Sequence, residues 1–511
     1  MRKKSFISGA IILMVAGLIV RLLGFVYRIY LSNLIGAEGM GIFQLIAPVY
    51  TLIVLTLTAG VSIAVSKMVS SELAQHHYVN LRRIAYCALL VVSAAGLLTA
   101  VLIYLNLDLL VNHVIKDSRT YYSFLLLIPC IPVIACASAL KGYFYGIQKV
   151  TPTAVSQVVE QIVKIGFVML MAGYFVNTSL EYACAVATVG MALGEISNLA
   201  VLLVIYYFGK KGDHLVRSKA GLLRKRAIIT EIVKISVPVS ANRFIISIMA
   251  AIENILIPAM LVAGGLDYKS SIEEYGRLSG MAMPLIFFPA LVTSSLATTL
   301  VPAISEAVSL KNYKSVNYRI SKSIQITFTL GFLFTAIFLS YANEIGTLIY
   351  RRENIGYLLY ALSFTCVFIY LQQTLMGVLN GLGKQGILLR NTIIGSAIRI
   401  GFVCFLIPRY GIVSYVWGIA ISFFVTDILN LYSISRLTGL VLNLRQWLAG
   451  PAVVGVFMVI AGRYILNFFE LFIVSRSYVT ILSVAANFSV GMLLMIAAGA
   501  ANLKDFKLKS Q

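Results

Sequence analysis

Long apolar segments are the feature that most constrains how this 511-residue chain can fold. Crossing a hydrocarbon core of about 30 Å takes roughly 20 apolar residues in a helix. Because the backbone must satisfy its own hydrogen bonds inside a bilayer, segments of that length indicate helices. We predict about fourteen spans, near residues 6–29, 42–66, 84–106, 121–140, 152–175, 182–208, 232–263, 279–302, 324–342, 357–380, 387–407, 412–435, 448–469 and 479–502.

The composition excludes the two other broad classes of chain. Charged residues make up 12% of the sequence and hydrophobic residues 60%. A soluble protein carries a charged fraction of about 25%, and disordered chains are poor in aliphatic and aromatic residues. The sequence therefore predicts an all-α polytopic membrane protein.

The basic residues are distributed as membrane topology requires. The chain has 41 Lys and Arg against 19 Asp and Glu, a net charge of +22. With the N-terminus in the cytoplasm, the inward segments hold 25 of these basic residues and the outward loops hold 9. Cytoplasmic loops carry such an excess, so a nucleic-acid partner is not needed to explain the charge. We expect a multi-pass protein of the bacterial cell membrane with both termini in the cytoplasm.

An internal repeat relates the two halves of the chain. Gly142-Tyr-Phe-Tyr-Gly146 recurs as Gly377-Val-Leu-Asn-Gly381, and Lys164-Ile-Gly-Phe-Val168 recurs as Arg399-Ile-Gly-Phe-Val403. The offset along the chain is the same in both matches. Six spans separate the copies, so both halves cross the membrane in the same sense. This predicts two parallel six-helix bundles related by a pseudo-two-fold axis along the membrane normal, plus two C-terminal helices.

The predicted domains follow from the repeat and from a basic stretch between its halves. They are an N-terminal six-helix bundle (1–208), a basic cytoplasmic linker (209–230), a C-terminal six-helix bundle (231–440), and two additional helices with a basic cytoplasmic tail (441–511).

Charged residues within the spans are the candidates for function, because each is costly in hydrocarbon and usually faces a cavity or a partner. In the first helix Gly17, Arg21, Gly24 and Arg28 share one face. Two guanidinium groups there suit phosphate oxygens. The alternative for Arg28 is that its side chain reaches the outer interface.

A polar stripe on the fifth helix contains Glu160 and Lys164, and the eleventh helix carries Arg399 at the position equivalent to Lys164. Two cations at equivalent positions indicate a basic cavity shared by the halves. The alternative is that Glu160 and Lys164, four residues apart, neutralise each other.

Further charges lie on the seventh helix and at the start of the eighth. Each of them alone also fits a structural hydrogen bond or an interface anchor. The complete set of predicted cavity residues is Arg21, Arg28, Glu160, Lys164, Arg243, Glu253, Arg277 and Arg399.

Signals of catalysis and of metal binding are absent from the sequence. It contains no H-E-x-x-H, no G-x-S-x-G and no Walker A pattern. The six cysteines lie in apolar segments, and the four histidines form no set of ligands. We expect no catalytic residue, no metal and no cofactor.

Several motifs resemble one family of exporters. They are Arg21-Leu-Leu-Gly24, Leu34-Ile-Gly36-Ala-Glu38-Gly39-Met-Gly41, Ser156-Gln-Val-Val-Glu160-Gln-Ile-Val-Lys164 and Ser295-Leu-Ala-Thr-Thr-Leu-Val-Pro302-Ala-Ile-Ser-Glu306. The chain resembles the polysaccharide-transporter branch of the multidrug/oligosaccharidyl-lipid/polysaccharide exporter superfamily, over essentially all fourteen predicted spans.

The resemblance implies a flippase that works by alternating access through a cationic central cavity. Its implied cargo is a sugar precursor on undecaprenyl pyrophosphate, and a sporulation-associated member implies lipid II for spore-cortex peptidoglycan. In related lipid II flippases, first-helix arginines are thought to meet the pyrophosphate. Arg21 stands at the matching place, and Arg28 stands one residue beyond the second. The implied partners are the lipid-linked oligosaccharide, membrane lipid and, as candidates, cell-wall synthesis enzymes.

Three other functions remain open at this point. A related exporter of lipid-linked capsule or teichuronic-type polysaccharide has the same architecture. A cation-coupled exporter of small organic cations, the sister branch of the superfamily, needs a net acidic cavity. An integral-membrane glycosyltransferase needs catalytic acids in an aqueous loop or domain, and the predicted external loops are short.

Overall fold

The computed structural model describes residues 2–175, 179–208, 222–441, 443 and 445–498. Within these ranges every regular element is helical and no strand occurs. By contacts between residues, the chain divides into two compact units, Met1–Ile255 and Leu256–Gln511. The boundary falls inside one long helix, Lys225–Ala263. The predicted basic linker begins in the segment 209–221, which lies outside the described residues.

The described part of the first unit contains seven helices and the start of an eighth. They are α1 (Arg2–Ala74), α2 (Tyr78–Leu105), α3 (Leu107–Leu109), α4 (Tyr121–Leu127), α5 (Cys130–Gly146), α6 (Thr151–Phe175), α7 (Leu180–Phe208) and α8 (Lys225–Ala263).

The second unit, where it is described, contains the end of α8 and eleven further helices. They are α9 (Tyr268–Tyr275), α10 (Met283–Phe287), α11 (Ala290–Ser309), α12 (Tyr313–Ile349), α13 (Gly356–Ser363), α14 (Cys366–Gly381), α15 (Gln385–Phe405), α16 (Ile407–Tyr410), α17 (Ile412–Thr438), α18 (Gly450–Phe472) and α19 (Arg476–Ala497).

The helices confirm a polytopic all-α membrane protein. Among the described residues, 11 helices are long and apolar enough to cross a membrane, or 13 if each of two bent pairs counts as one span. The bent pairs turn by 45° before Cys130 and by 55° before Cys366. The first bend coincides with Pro129, which cannot donate a backbone hydrogen bond.

The first spanning helix contains two predicted spans. Its 63 spanning residues would extend over about 95 Å, roughly three times the hydrocarbon thickness. It is interrupted at Gly36, whose φ of 68° and ψ of −173° are non-helical. That conformation is essentially restricted to glycine. Dividing the helix at Gly36 accounts for the fourteenth predicted span.

The two units use the same packing of equivalent helices. In the first unit α1 packs on α5, α2 on α5, and α6 on α7. In the second unit α11 packs on α14, α12 on α14, and α15 on α17. These are the pairs that the internal repeat of the sequence relates. The axis between the two copies stays a prediction.

The two C-terminal helices are anchored on α12. The buried hydroxyl of Tyr341 donates to the carbonyl of Gly462 on α18 at 2.9 Å. Trp447 is 1% exposed, and its indole N–H donates to Ser321 Oγ on α12 at 3.0 Å. A hydrogen-bonded, fully buried tryptophan is a strong anchor, so α18 belongs to the core of the second unit.

An arginine-carboxylate cluster joins distant segments in each unit. In the first unit Arg119 donates to both carboxylate oxygens of Asp117, at 3.0 and 2.8 Å, and to Glu38 at 2.6 Å. Glu38 lies two residues after the break at Gly36. The guanidinium therefore ties the second span to the segment that precedes α4.

The second unit has the corresponding cluster around Arg277, which lies in the π-helical segment Gly276–Ala282. Arg277 donates to Glu353 at 3.0 Å, to Glu274 at 3.0 Å and to Glu273 at 3.3 Å. Tyr357 on α13 also donates to Glu274. This cluster ties the segment after α9 to the segment that precedes α13.

Candidate functional site

The polar stripe of α6 meets α7 in the first unit. Glu160 and Lys164 are both half-buried on α6. Asn198 on α7 is fully buried, and its Nδ2 donates to Glu160 Oε2 at 2.8 Å. Gly194 permits this approach, because a Cβ there would lie 3.0 Å from the carbonyl oxygen of Glu160. The carboxylate of Glu160 is thus held by α7.

The ammonium group of Lys164 lies over an aromatic ring of α1. Its Nζ is 5.1 Å from the centroid of the Tyr27 ring. Within the described part of the chain, no carboxylate forms a salt bridge with Lys164, although Glu160 is four residues away on the same helix. The cation is attracted by the negative face of the ring.

Three further charges complete this group, which we call the α6 cluster: Arg28, Lys141, Glu160, Lys164 and Glu195. A Cβ at Gly194, the neighbour of Glu195, would lie 3.3 Å from the Lys164 Cβ. The Tyr27 ring under the Lys164 ammonium is next to Arg28 on α1. Lys141 on α5 acts in turn on Glu195 of α7. With three basic and two acidic side chains, the α6 cluster has a formal excess of one positive charge.

The other predicted residues of the first unit differ in exposure. Arg21 on α1 and Arg243 on α8 are exposed, and Arg28 is half-buried. Glu253 on α8 is 4% exposed. Arg21 precedes Arg28 by seven residues, so the two lie on the same side of α1, as the sequence predicts.

In the second unit, Arg399 is held by hydroxyl groups. Its Nη1 donates to Ser422 Oγ on α17 at 2.8 Å, and its Nη2 donates to Ser396 Oγ on α15 at 3.1 Å. The guanidinium also lies 5.8 Å from the centroid of the Phe423 ring. The cation at the position equivalent to Lys164 is therefore also placed over an aromatic ring.

Arg277 has a different environment from the other predicted cavity residues. Three carboxylates surround it, as described above. Burial alone would lower the pKa of Arg277, but the hydrogen bonds and charges of Glu353 and Glu274 outweigh burial and raise it. The guanidinium stays charged, and its donors are directed at acidic side chains of its own unit.

Two further features lie outside the predicted set. Asp427 on α17 is 2% exposed, and within the described residues neither carboxylate oxygen has a hydrogen-bond partner. A cavity of about 340 Å³ lies between the end of α1 and the start of α8. Its polar lining includes Lys67, Glu72 and Glu231.

Sequence reasoning did not single out Tyr27, Asn198 or Lys141 as functional. A signal existed for Asn198, which lies three residues after Glu195 and so on the same face of α7. Lys141 lies just beyond the predicted span 121–140, whereas α5 continues to Gly146. No motif marks Tyr27, because an aromatic residue in a membrane helix is ordinary.

The described residues contain no group of three or more His, Cys, Asp and Glu side chains placed to hold a metal ion. The acidic pair of the α6 cluster is accompanied by basic side chains. Its chemistry suits an anionic ligand better than a metal cation.

Comparison with known proteins matches residues 6–308 to the family described as polysaccharide biosynthesis protein. The chain belongs to the polysaccharide biosynthesis protein family. Membership confirms the resemblance to the polysaccharide-transporter branch that the motifs indicated.

Two proteins similar to this chain come from Bacillus subtilis (strain 168). Stage V sporulation protein B is 28% identical over 459 residues, which cover 89% of this chain and 88% of the relative. Lipid II flippase MurJ is 26% identical over 496 residues, which cover 87% of this chain and 89% of the relative.

A solved structure shares the fold of this member of the polysaccharide biosynthesis protein family. The lipid II flippase MurJ in an inward closed conformation matches with a TM-score of 0.72 at 14% identity, covering 97% of this chain and 99% of that one. The chain therefore has the fold of that structure.

Proposed function

We propose that this chain is a flippase that moves a sugar precursor linked to undecaprenyl pyrophosphate across the cell membrane, with lipid II for spore-cortex peptidoglycan as the cargo. The observation that carries the proposal is the α6 cluster, in which three basic side chains exceed two carboxylates within the spans. Basic side chains that remain inside hydrocarbon are retained where they meet an anionic group. The pyrophosphate is the anionic group of such a lipid.

Relatives of similar length support the same assignment. Two of them are named for sporulation and for lipid II flipping, and each covers most of this chain. We infer that substrate moves by alternating access, with the basic members of the predicted cavity set as its cationic contacts: Arg21, Arg28, Lys164, Arg243 and Arg399. We leave Arg277 out of this set because its donors are directed at three carboxylates. We expect cell-wall synthesis enzymes as the protein partners of a flippase with this cargo.

The α6 cluster argues against an exporter of organic cations. Such a site needs an excess of carboxylates to attract its substrate, since like charges repel strongly where water is excluded. The α6 cluster has the opposite excess. A polysaccharide exporter of the same family differs only in the glycan, and the cation cluster supports both cargoes.

Transport by reconstituted protein tests the proposal. Lys164→Gln removes one of three cations, and we expect the initial rate of fluorescent lipid II flipping in proteoliposomes to fall about tenfold, equivalent to about 1.4 kcal/mol. Lys164→Arg should retain most of the rate because it keeps the charge.

A matched control exists elsewhere in the first unit. Lys225 is exposed at the start of α8, with its Nζ 5.6 Å from the centroid of the Tyr86 ring. Lys225→Gln removes a cation from a similar contact outside the α6 cluster and should leave flipping unchanged. Wild-type rates in Lys164→Gln would overturn the proposed site. Faster transport of a lipid-linked polysaccharide repeat than of lipid II would reassign the cargo.

A further inference from the structure

The Lys164 ammonium contacts an aromatic ring of another helix and not the carboxylate on its own helix. Lys164 has a carboxylate one helical turn away on α6, yet its ammonium lies over the Tyr27 ring on α1, 5.1 Å from the centroid. The nearby carboxylate of Glu160 instead accepts from Asn198 of α7. The helix thus separates two charges that could have paired.

Tyr27 contributes its ring and not its hydroxyl group to this arrangement. The residue is 6% exposed. Its hydroxyl oxygen is buried without a hydrogen-bond partner among the described residues. Since the hydroxyl makes no such bond, the face of the ring is the feature that acts on the ammonium. Cation–π attraction strengthens when water is excluded, as it is at this buried ring.

Arg28, the next residue along α1, adds a second positive charge to this part of the helix. Its charge acts on both Tyr27 and Lys164. Arg28 repels the Lys164 ammonium while Glu160 and Glu195 attract it, and the ring adds to that attraction. An anion that bears more than one negative charge would be attracted by both cations.

The second unit has an equivalent contact between a cation and an aromatic ring, made by different residues. Arg399, equivalent to Lys164, lies over the Phe423 ring of α17. The ring in the first unit comes from α1, whereas the ring in the second unit comes from the helix equivalent to α7. In both units a cation from the polar stripe is placed against an aromatic ring.

We propose that Tyr27 is a positioning residue that holds the Lys164 ammonium against α1, where Arg28 is the next residue, and so forms a two-cation seat for the phosphate groups of an anionic lipid headgroup. The inference rests on the proposed function and adds the residue that determines the geometry of the seat. The same ring is not expected to contact the substrate, because it is buried under the lysine.

Transport kinetics separate positioning from simple structural support. Tyr27→Leu removes the ring that holds the Lys164 ammonium. We expect the KM for lipid II flipping to rise about fivefold to tenfold while the maximal rate stays within twofold. Tyr27→Phe keeps the ring face and should match wild type. Tyr86→Leu, which removes the ring under Lys225, is the matched control and should change neither parameter.

A second measurement reports the contact without any transport. Reductive methylation with ¹³C-formaldehyde labels the lysines, and the ring current of Tyr27 should displace the Lys164 methyl signal upfield in the NMR spectrum. The displaced signal, assigned by its loss in Lys164→Arg, should persist in Tyr27→Phe and return to the ordinary position in Tyr27→Leu. If Tyr27→Leu does not fold, trifluorophenylalanine at position 27 keeps the shape of the ring and weakens its attraction for a cation.

The outcomes distinguish failure of this inference from failure of the proposed function. Absence of a displaced Lys164 signal in wild type would overturn the seat, whatever the transport data. A displaced signal with an unchanged KM in Tyr27→Leu would overturn the positioning role alone, provided that Lys164→Gln still impairs flipping. If Lys164→Gln flips lipid II normally, the proposed site itself fails.

Discussion

Single residues decide where the charges of the first unit point. The spacing of Glu160 and Lys164 on one helix is compatible with an ion pair and equally with a shared cavity. Asn198 and Tyr27, from α7 and α1, resolve the choice by holding the carboxylate and the ammonium separately. Both partners come from other helices, far along the chain from the charges they hold, so the sequence stripe alone could not assign them.

Gly36 is the residue whose backbone conformation most restricts substitution. Its φ of 68° with an extended ψ is strained for any side chain, at a cost of about 1–3 kcal/mol. Gly36→Ala should lower the free energy of unfolding in an SDS titration by that amount. Gly166→Ala is the control: a Cβ there meets nothing within 4 Å, and helical alanine is favoured over glycine by about 1 kcal/mol. Equal stability of the two variants would contradict a strained break at Gly36.

Pairs of elements are fastened by the two arginine-carboxylate clusters. Glu274 follows Glu38 by the same interval that separates Glu353 from Asp117, and this interval is nearly the repeat offset. The acidic positions are thus equivalent within the repeat, whereas Arg119 and Arg277 come from different elements. The repeat offset could have revealed the acidic positions in the sequence. The arginine that serves each pair could not be assigned, because it depends on contacts up to 81 residues apart.

A double-mutant cycle tests the cluster of the first unit. Glu38→Gln and Arg119→Gln should each destabilise the protein, and the double variant should show a coupling energy of about 1–2 kcal/mol, since the partners are in direct contact. The measurement is the free energy of unfolding in SDS. Arg409→Gln, in the other unit, should be additive with Glu38→Gln. Additivity of Glu38→Gln with Arg119→Gln would refute an energetic link.

At the scale of the whole molecule, the arrangement of basic residues predicts its orientation in the membrane. Leu266 precedes α9 and Lys314 lies in the first turn of α12, so one span separates them. If both termini are cytoplasmic, position 266 faces outward and position 314 faces the cytoplasm.

Cysteine labelling on intact cells checks this orientation. All six native cysteines are buried or half-buried, so the unsubstituted protein gives the background. A membrane-impermeant maleimide should label Leu266→Cys at once and Lys314→Cys only after the cells are opened. The reverse pattern would place the termini outside and invert the predicted topology.

The sequence by itself determined the membrane class, the approximate number of spans and the internal repeat of this family member. These properties follow from apolar length and from a constant offset along the chain, which are quantities that a linear reading captures. The tertiary structure decided which charges are paired. Arg277, a predicted cavity residue, is paired with Glu353, 76 residues away. For Lys164 the sequence left a cavity and a pair with Glu160 open, and the structure places its ammonium over a ring of α1. Electrostatic energy depends on distances between side chains in space, and only folding sets those distances.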